Sequence, residues 1–188
     1  MATATTKTAV TPRLRALKTN NKTLWITVTA VFMALNIALA SFGIPVPGGH
    51  LYLCDVIIVT AALLLDPLAA FLVGGVGSFL GDMIFYPAPM FVSLVTHGLQ
   101  AVVISLIAAY AWKQTKKKRF VICLIATLVG AVIMVVGYTL GKIYVYSTLA
   151  DAILKLPYEI AQALLGVVVG LLLCFRSGLD STFNRVGN

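Results

Sequence analysis

Six long apolar runs follow one another along this 188-residue chain and constrain its fold more than any other feature. A helix needs about 20 apolar residues to cross the hydrocarbon core of a bilayer. Because the runs leave little sequence between them, we predict an all-α integral membrane bundle of six transmembrane helices. The predicted spans are Leu24–Gly43, Tyr52–Leu65, Leu68–Tyr86, Met90–Trp112, Phe120–Gly141 and Pro157–Phe175, of which the second is short for a span. Prolines fall at the ends of these spans and none inside one, as expected where helices must keep their backbone hydrogen bonds.

The composition indicates that lipid surrounds most of the surface. Charged residues make up 11% of the chain and hydrophobic residues 60%, whereas soluble domains carry about 25% charged residues. The net charge of +8 lies in the tails and one loop, so it does not indicate nucleic-acid binding. Cys54, Cys123 and Cys174 are scattered singly in apolar runs. This pattern favours packing over a disulfide or a metal site.

The distribution of basic residues predicts the orientation of the bundle. With the N-terminus inside, twelve of the 14 Lys and Arg residues are cytoplasmic, and only Lys142 and Lys155 lie outside. Because cytoplasmic loops are enriched in Lys and Arg, both termini are predicted to be cytoplasmic. The predicted domains are a cytoplasmic tail at 1–22, the substrate-binding bundle at 23–176 and a cytoplasmic tail at 177–188. The predicted outer loops are Ile44–Leu51, Pro87–Pro89 and Lys142–Leu156.

Polar side chains concentrate in the outer halves of the predicted spans, whereas the inner halves are nearly pure Ala, Val, Leu, Ile and Gly. Ionisable groups inside a membrane are costly and mark function by default. The pattern predicts a pocket open to the outside above an apolar floor, not a channel. The candidate substrate-binding residues are Asn36, His50, Tyr52, Asp55, Asp82, Tyr86, His97, Gln100, Tyr146, Glu159 and Gln162. Structural alternatives stay open: the acids could reach the interface, His97 and the amides could join helices, and the tyrosines could form an interfacial belt.

The chemistry of this predicted pocket favours one class of ligand. It combines carboxylates, one histidine, amides and aromatic rings, with no Lys or Arg inside a span. A small neutral or weakly basic heteroaromatic molecule with hydroxyl or amino groups fits this set, and an anionic one fits poorly. We predict no catalytic residue, metal or cofactor for this chain. Its one phosphate-loop-like run, Gly137–Lys142, is one residue short and lacks the required Ser or Thr.

Small residues recur at four-residue spacing in several spans. Ala30, Ala34 and Ala38 form a flat stripe on the first span, and such stripes let helices approach closely in membranes. We predict that this stripe is a partner interface, with internal packing as the alternative. Further small pairs, predicted to serve mostly internal packing, are Gly74/Ser78, Gly77/Gly81, Gly137/Gly141 and Gly166/Gly170.

The segment Leu51–Asp82 resembles the S components of energy-coupling factor (ECF) transporters, especially the branch assigned to hydroxymethylpyrimidine and pyridoxine. The shared features are an acid early in the second span (Asp55), a short turn at Pro67 and a glycine-rich third span that closes with Asp82. The resemblance implies a high-affinity vitamin-binding subunit in the bacterial plasma membrane.

The resemblance also implies partners. These are a transmembrane coupling subunit, contacted by the alanine stripe, and two cytoplasmic ATPase subunits that use ATP. Loops matching Pro47–Leu51 and Tyr144–Leu156 would gate the pocket. Two other functions stay open: a stand-alone carrier coupled to protons through Asp82, His97 or Glu159, and an intramembrane enzyme built on His97. The first would usually show an inverted repeat and the second a catalytic motif, and we find neither.

Overall fold

A computed structural model describes Arg15 and residues 21–176, and within them the chain is mostly helical. The helices are α1 (Lys22–Ala40), α2 (Cys54–Leu64), α3 (Pro67–Phe85), α4 (Met90–Ala111), α5 (Lys116–Tyr146) and α6 (Leu149–Phe175). Two short strands, β1 (Ile44–Val46) and β2 (Gly49–Leu51), lie between α1 and α2. The predicted cytoplasmic tails lie outside the described residues, apart from Arg15 and the residues next to α1.

Five of these helices, all except α2, are long and apolar enough to cross a membrane. Helix α2 is also apolar but has only 11 residues, a length of about 16 Å at 1.5 Å per residue. Its side chains are almost all buried, since Ile58, Leu63 and Leu64 each have an exposed fraction of 0%. The short helix is therefore enclosed by other parts of the chain, and its apolar sequence reflects protein packing.

Side chains from other segments satisfy the backbone carbonyls at the end of α2. The guanidinium of Arg15 donates to the carbonyl oxygens of Ala62 and Leu63, both at 3.0 Å. The indole N–H of Trp112 donates to the Leu63 carbonyl oxygen at 3.0 Å. The last carbonyls of a helix lack intrahelical partners, so these bonds let α2 end inside the protein. We call this end of the bundle, which carries Arg15, Trp112 and the basic run Lys113–Arg119, the basic end.

Glycines allow α6 to pack closely against α2. A Cβ atom placed on Gly166 would lie 2.8 Å from the Cβ of Asp55, and one on Gly170 would lie 2.6 Å from Cγ1 of Val59. The other predicted small pairs also face neighbouring helices; a Cβ on Gly81, for example, would lie 2.9 Å from that of Ala40. The prediction that these pairs serve internal packing is confirmed.

The connection between α5 and α6 differs from the prediction. The predicted outer loop Lys142–Leu156 is wrong, because α5 continues through a π-helical turn at Lys142–Tyr146 and α6 begins at Leu149. Thr148 caps α6 by accepting a hydrogen bond from the backbone N–H of Asp151 at 3.2 Å, a common helix start. Pro157 consequently lies inside α6, and the expectation that it marks the start of a span is also wrong.

A β-hairpin formed by β1 and β2 interrupts the otherwise helical fold, a feature that the all-α prediction missed. The strands are antiparallel, with Ile44 opposite Leu51 and Val46 opposite Gly49. Gly48 has a φ of 78°, a backbone conformation that favours glycine, and Pro47 precedes it as in many tight turns. A Cβ on Gly48 would lie 2.7 Å from the Asp151 carbonyl oxygen. The hairpin therefore packs tightly against the start of α6.

Candidate ligand-binding site

A cavity lies beneath the hairpin, at the end of the bundle opposite the basic end. Its water-accessible volume is about 40 Å³, enough for about three water molecules. The predicted site residues that line it are His50, Tyr52, Asp82, Tyr86, His97, Tyr146 and Gln162. The structure thus brings together residues from the hairpin and from four helices.

The other four predicted residues, Asn36, Asp55, Gln100 and Glu159, are buried but do not line the cavity. Asn36 joins α1 to α3: its amide donates to the Val73 carbonyl oxygen at 2.8 Å and to Ser78 Oγ at 3.1 Å. Val73 belongs to a π-helical turn, Leu72–Val76, in the middle of α3. Asn36 therefore supports the helix that carries Asp82 and does not face the cavity.

Asp55 and Gln100 belong to a hydrogen-bond chain that runs from Tyr52, the residue after the hairpin, to the cavity wall. The backbone N–H of Tyr52 donates to Gln162 Oε1 at 2.9 Å, and Gln162 Nε2 donates to Asp55 Oδ2 at 2.6 Å. Asp55 Oδ1 accepts from Gln100 Nε2 at 3.2 Å, and Gln100 Oε1 lies 2.7 Å from His97 Nδ1. These bonds link α2, α4 and α6 beneath the cavity, and we call them the Asp55 relay.

A second chain of polar groups begins at Asp82. Ser93 Oγ donates to the Asp82 carboxylate, and the Tyr138 hydroxyl lies 2.5 Å from Ser93 Oγ. Because the serine proton is directed at Asp82, Tyr138 is the donor in the second bond. The Tyr138 ring lies 5.2 Å from the His97 ring, so the two chains meet at the cavity.

Two lysines that were predicted to lie in an outer loop line the cavity. The exposed fractions of Lys142 and Lys155 are 4% and 8%. Lys142 Nζ donates to the Gly48 carbonyl oxygen of the hairpin at 2.8 Å, and Lys155 Nζ lies 3.5 Å from Glu159 Oε1. The prediction that both lysines lie in an outer loop was wrong, because α5 and α6 extend past the predicted span ends. The four-residue spacing of Tyr138, Lys142 and Tyr146, which places side chains on one helix face, was the signal that could have found Lys142.

The described residues also bring possible metal ligands together. One ligand atom each from Cys54, Asp55 and His97 lies within 4.8 Å of the others. In this structure Asp55 accepts bonds from two amides, and His97 Nδ1 is bonded to Gln100. The group is thus part of the Asp55 relay, and our expectation that it holds no metal stays a prediction.

The lining combines aromatic faces with hydrogen-bonding groups of both kinds. Lys142 and Lys155 supply donors, and Asp82 supplies acceptors. His50 contributes a ring that lies 5.8 Å from the Tyr86 ring. Such a set can bind and orient a small polar aromatic molecule.

Comparison with known proteins identifies the family of this chain. The family model described as "ECF-type riboflavin transporter, S component" matches residues 20–177. This chain belongs to that family. The S component is also similar to a protein from Pyrococcus woesei described as "Uncharacterized protein in gap 3'region". The two are 32% identical over 129 residues, which cover 68% of this chain and 82% of that protein.

Membership of the family confirms the resemblance to ECF S components at the level of the family. The S component is a multi-pass membrane protein of vitamin uptake, and its role is that of a substrate-binding transport subunit rather than an enzyme. The family implies partnership with a transmembrane component and with ATPases. The cavity beneath the hairpin is the candidate substrate site of this subunit.

Proposed function

We propose that this S component captures a small, neutral or weakly basic heteroaromatic vitamin or vitamin precursor from outside the cell for an ATP-driven importer. Hydroxymethylpyrimidine and pyridoxine are the favoured ligands. The observation that carries the proposal is the cavity itself, in which aromatic rings surround fixed acceptors and donors.

The polar groups of the cavity complement a heteroaromatic ring that has both donors and acceptors. Asp82 can accept from an amino, hydroxyl or pyridinium group of the ligand, while Lys142 and Lys155 can donate to ring nitrogens or oxygens. Lys155 is already paired with Glu159, at 3.5 Å, so much of its charge is neutralised within the protein. This pairing supports a neutral or weakly basic ligand over a strongly anionic one.

The size of the cavity supports a ligand with a single ring. Pockets for small molecules usually enclose about 300–1,000 Å³, whereas this cavity has a water-accessible volume of about 40 Å³. We propose that the hairpin moves outward when a ligand binds. Because a pyrimidine or pyridine requires a smaller displacement than the three-ring riboflavin, the closed geometry favours the smaller compounds.

The hydrogen bond from Lys142 to the Gly48 carbonyl oxygen, at 2.8 Å, is one contact that such a movement would break. Its loss would free the ammonium group of Lys142 inside the cavity. A ligand acceptor that replaced the Gly48 carbonyl would restore the lost bond. We infer that Lys142 exchanges a hairpin partner for a ligand partner during binding.

The alanine stripe supports docking to a coupling subunit. Ala30, Ala34 and Ala38 are all exposed on α1, so they do not serve packing within the described part of the chain. A flat apolar face of small side chains allows a second membrane helix to approach closely. We propose that this face contacts the transmembrane coupling subunit, which in turn binds the two ATPases.

Uptake of radiolabelled hydroxymethylpyrimidine and pyridoxine into proteoliposomes tests the proposal. We expect accumulation when the S component is reconstituted with its coupling subunit and ATPases and ATP is supplied. The control complex carries ATPases that cannot hydrolyse ATP, and it should not accumulate either compound. Accumulation by the S component alone, driven by a proton gradient, would contradict the proposal and indicate a secondary carrier.

A further inference from the structure

We propose that Asp55, which does not itself line the cavity, fixes the tautomer of His97 and so makes Nε2 of His97 a hydrogen-bond acceptor that selects ligands with an N–H or O–H donor. The part of this inference that concerns ligands rests on the proposed function. The part that concerns the tautomer rests on the Asp55 relay alone.

The backbone N–H of Tyr52 fixes the orientation of the Gln162 amide. A backbone N–H can only donate, and that of Tyr52 lies 2.9 Å from one end of the Gln162 amide. That end must therefore be the carbonyl oxygen, Oε1. The NH₂ group then faces Asp55 Oδ2, at 2.6 Å, and donates to it.

The Asp55 carboxylate fixes the orientation of the Gln100 amide. An ionised carboxylate only accepts hydrogen bonds, so the end of the Gln100 amide at 3.2 Å from Asp55 Oδ1 is its NH₂ group. The opposite amide orientation would place two acceptor oxygens against each other. With Nε2 directed at Asp55, the carbonyl oxygen of Gln100 faces His97.

The carbonyl oxygen of Gln100 fixes the position of the proton on the His97 imidazole. Gln100 Oε1 lies 2.7 Å from His97 Nδ1, and a carbonyl oxygen can only accept, so Nδ1 carries a proton. A neutral imidazole carries a proton on only one of its two nitrogens, so protonation of Nδ1 leaves Nε2 unprotonated. In the neutral imidazole, Nε2 of His97 therefore carries the lone pair, on a side chain that lines the cavity.

The consequence is a pair of acceptors in one small cavity, His97 Nε2 and the Asp82 carboxylate. The nearby Tyr138 hydroxyl does not supply the donor, because its proton is directed at Ser93. A ligand without an N–H or O–H group at this point would leave Nε2 without a partner inside the protein, which is unfavourable. Amino and hydroxyl substituents on the ligand meet this requirement.

The replacement Asp55→Asn keeps nearly the same side-chain shape but reverses the direction of the hydrogen bonds between residue 55, Gln100 and His97. Asn at this position would accept from Gln162 through its oxygen and donate through its NH₂ group to Gln100. Gln100 would then accept from Asn and donate from its own NH₂ group to His97 Nδ1. The proton of His97 would move to Nε2, which would become a donor.

Nitrogen-15 NMR of histidine-labelled protein in detergent measures this tautomer directly, without any ligand. The measurement is made at pH 8, and an H50Q variant assigns the second histidine. We expect the native protein to show a protonated Nδ1 and an unprotonated Nε2, and Asp55→Asn to show the reverse. Asp66→Asn, the same replacement at the basic end, should leave the native pattern. A native protein with Nε2 protonated overturns the proposal, whether or not Asp55→Asn folds.

A set of methylated ligands tests selection at the same site. In each analogue of hydroxymethylpyrimidine or pyridoxine, the hydrogens of one amino or hydroxyl group are replaced by methyl groups. We expect one analogue to bind the native protein at least ~10-fold more weakly than its parent compound, in line with the loss of one hydrogen bond at a buried acceptor. With Asp55→Asn, this analogue and its parent should bind equally well. Equal binding of all analogues to the native protein overturns ligand selection by His97. If the native tautomer is observed but neither parent compound binds, the relay stands and the favoured ligands of the proposed function are wrong.

Discussion

Replacing Asp82 by Asn is expected to weaken binding of the transported vitamin by about 100-fold. The carboxylate of Asp82 lines the cavity and accepts from Ser93, which in turn accepts from Tyr138. Asn keeps the size and one acceptor but loses the negative charge. Hydrogen bonds to charged groups contribute about 1.5–3 kcal/mol. Because a tenfold change in affinity corresponds to about 1.4 kcal/mol, this range includes a 100-fold loss of affinity.

Isothermal calorimetry on the purified protein in detergent measures this loss. The matched control is Asp66→Asn, because Asp66 caps α3 at the basic end by accepting from the backbone N–H groups of Leu68 and Ala69. Asn is also a good cap, so the control should bind the ligand as the native protein does. Unchanged affinity with Asp82→Asn would show that this carboxylate does not contact the ligand.

Replacing Gly166 by Leu is expected to abolish high-affinity binding and to destabilise the bundle. A Cβ on Gly166 would lie 2.8 Å from the Cβ of Asp55 and 3.3 Å from its carbonyl carbon, so a larger side chain must push α6 away from α2. Overpacking of this kind costs about 1–3 kcal/mol. The same displacement would separate Asp55 from Gln162 and break the relay.

The control for this change is Val168→Leu, two residues further along α6. The exposed fraction of Val168 is 55%, so a larger apolar side chain there meets no neighbouring helix. Thermal unfolding in detergent should show a lower midpoint for Gly166→Leu and an unchanged midpoint for Val168→Leu. Native affinity in a stable Gly166→Leu protein would mean that close packing of α6 on α2 does not shape the site.

Hydropathy was sufficient to predict most of the helices, because lipid contact requires long apolar runs with few charges. It did not show that α2 has only 11 residues. An apolar run has the same sequence character whether lipid or protein surrounds it. The enclosure of α2 depends on Gly166 and Gly170 of α6 and on the groups that satisfy its last carbonyls, which are contacts distant in sequence.

The candidate site was only partly predictable for related reasons. The principle that ionisable groups in a membrane mark function selected Asp82 and His97, and the structure places both at the cavity. It placed Lys142 and Lys155 in an outer loop near the pocket and not in its wall, because a positive charge near a span end is usually assigned to the aqueous loop. The extra turns of α5 and α6 bring these lysines into the bundle. The separate role of Asn36 depends on the π-helical turn of α3, for which sequence periodicity gave no indication.

Calorimetric titration of the purified chain tests whether this S component binds a small heteroaromatic vitamin. Calorimetry is preferable to tryptophan fluorescence, because Trp25 and Trp112 lie at the basic end, where they bond to Asp66 and to the Leu63 carbonyl. The panel is hydroxymethylpyrimidine, pyridoxine, thiamine, riboflavin and pantothenate. We expect submicromolar binding of hydroxymethylpyrimidine or pyridoxine, as the proposed function requires. Binding of riboflavin or pantothenate alone, or of no compound, would contradict it.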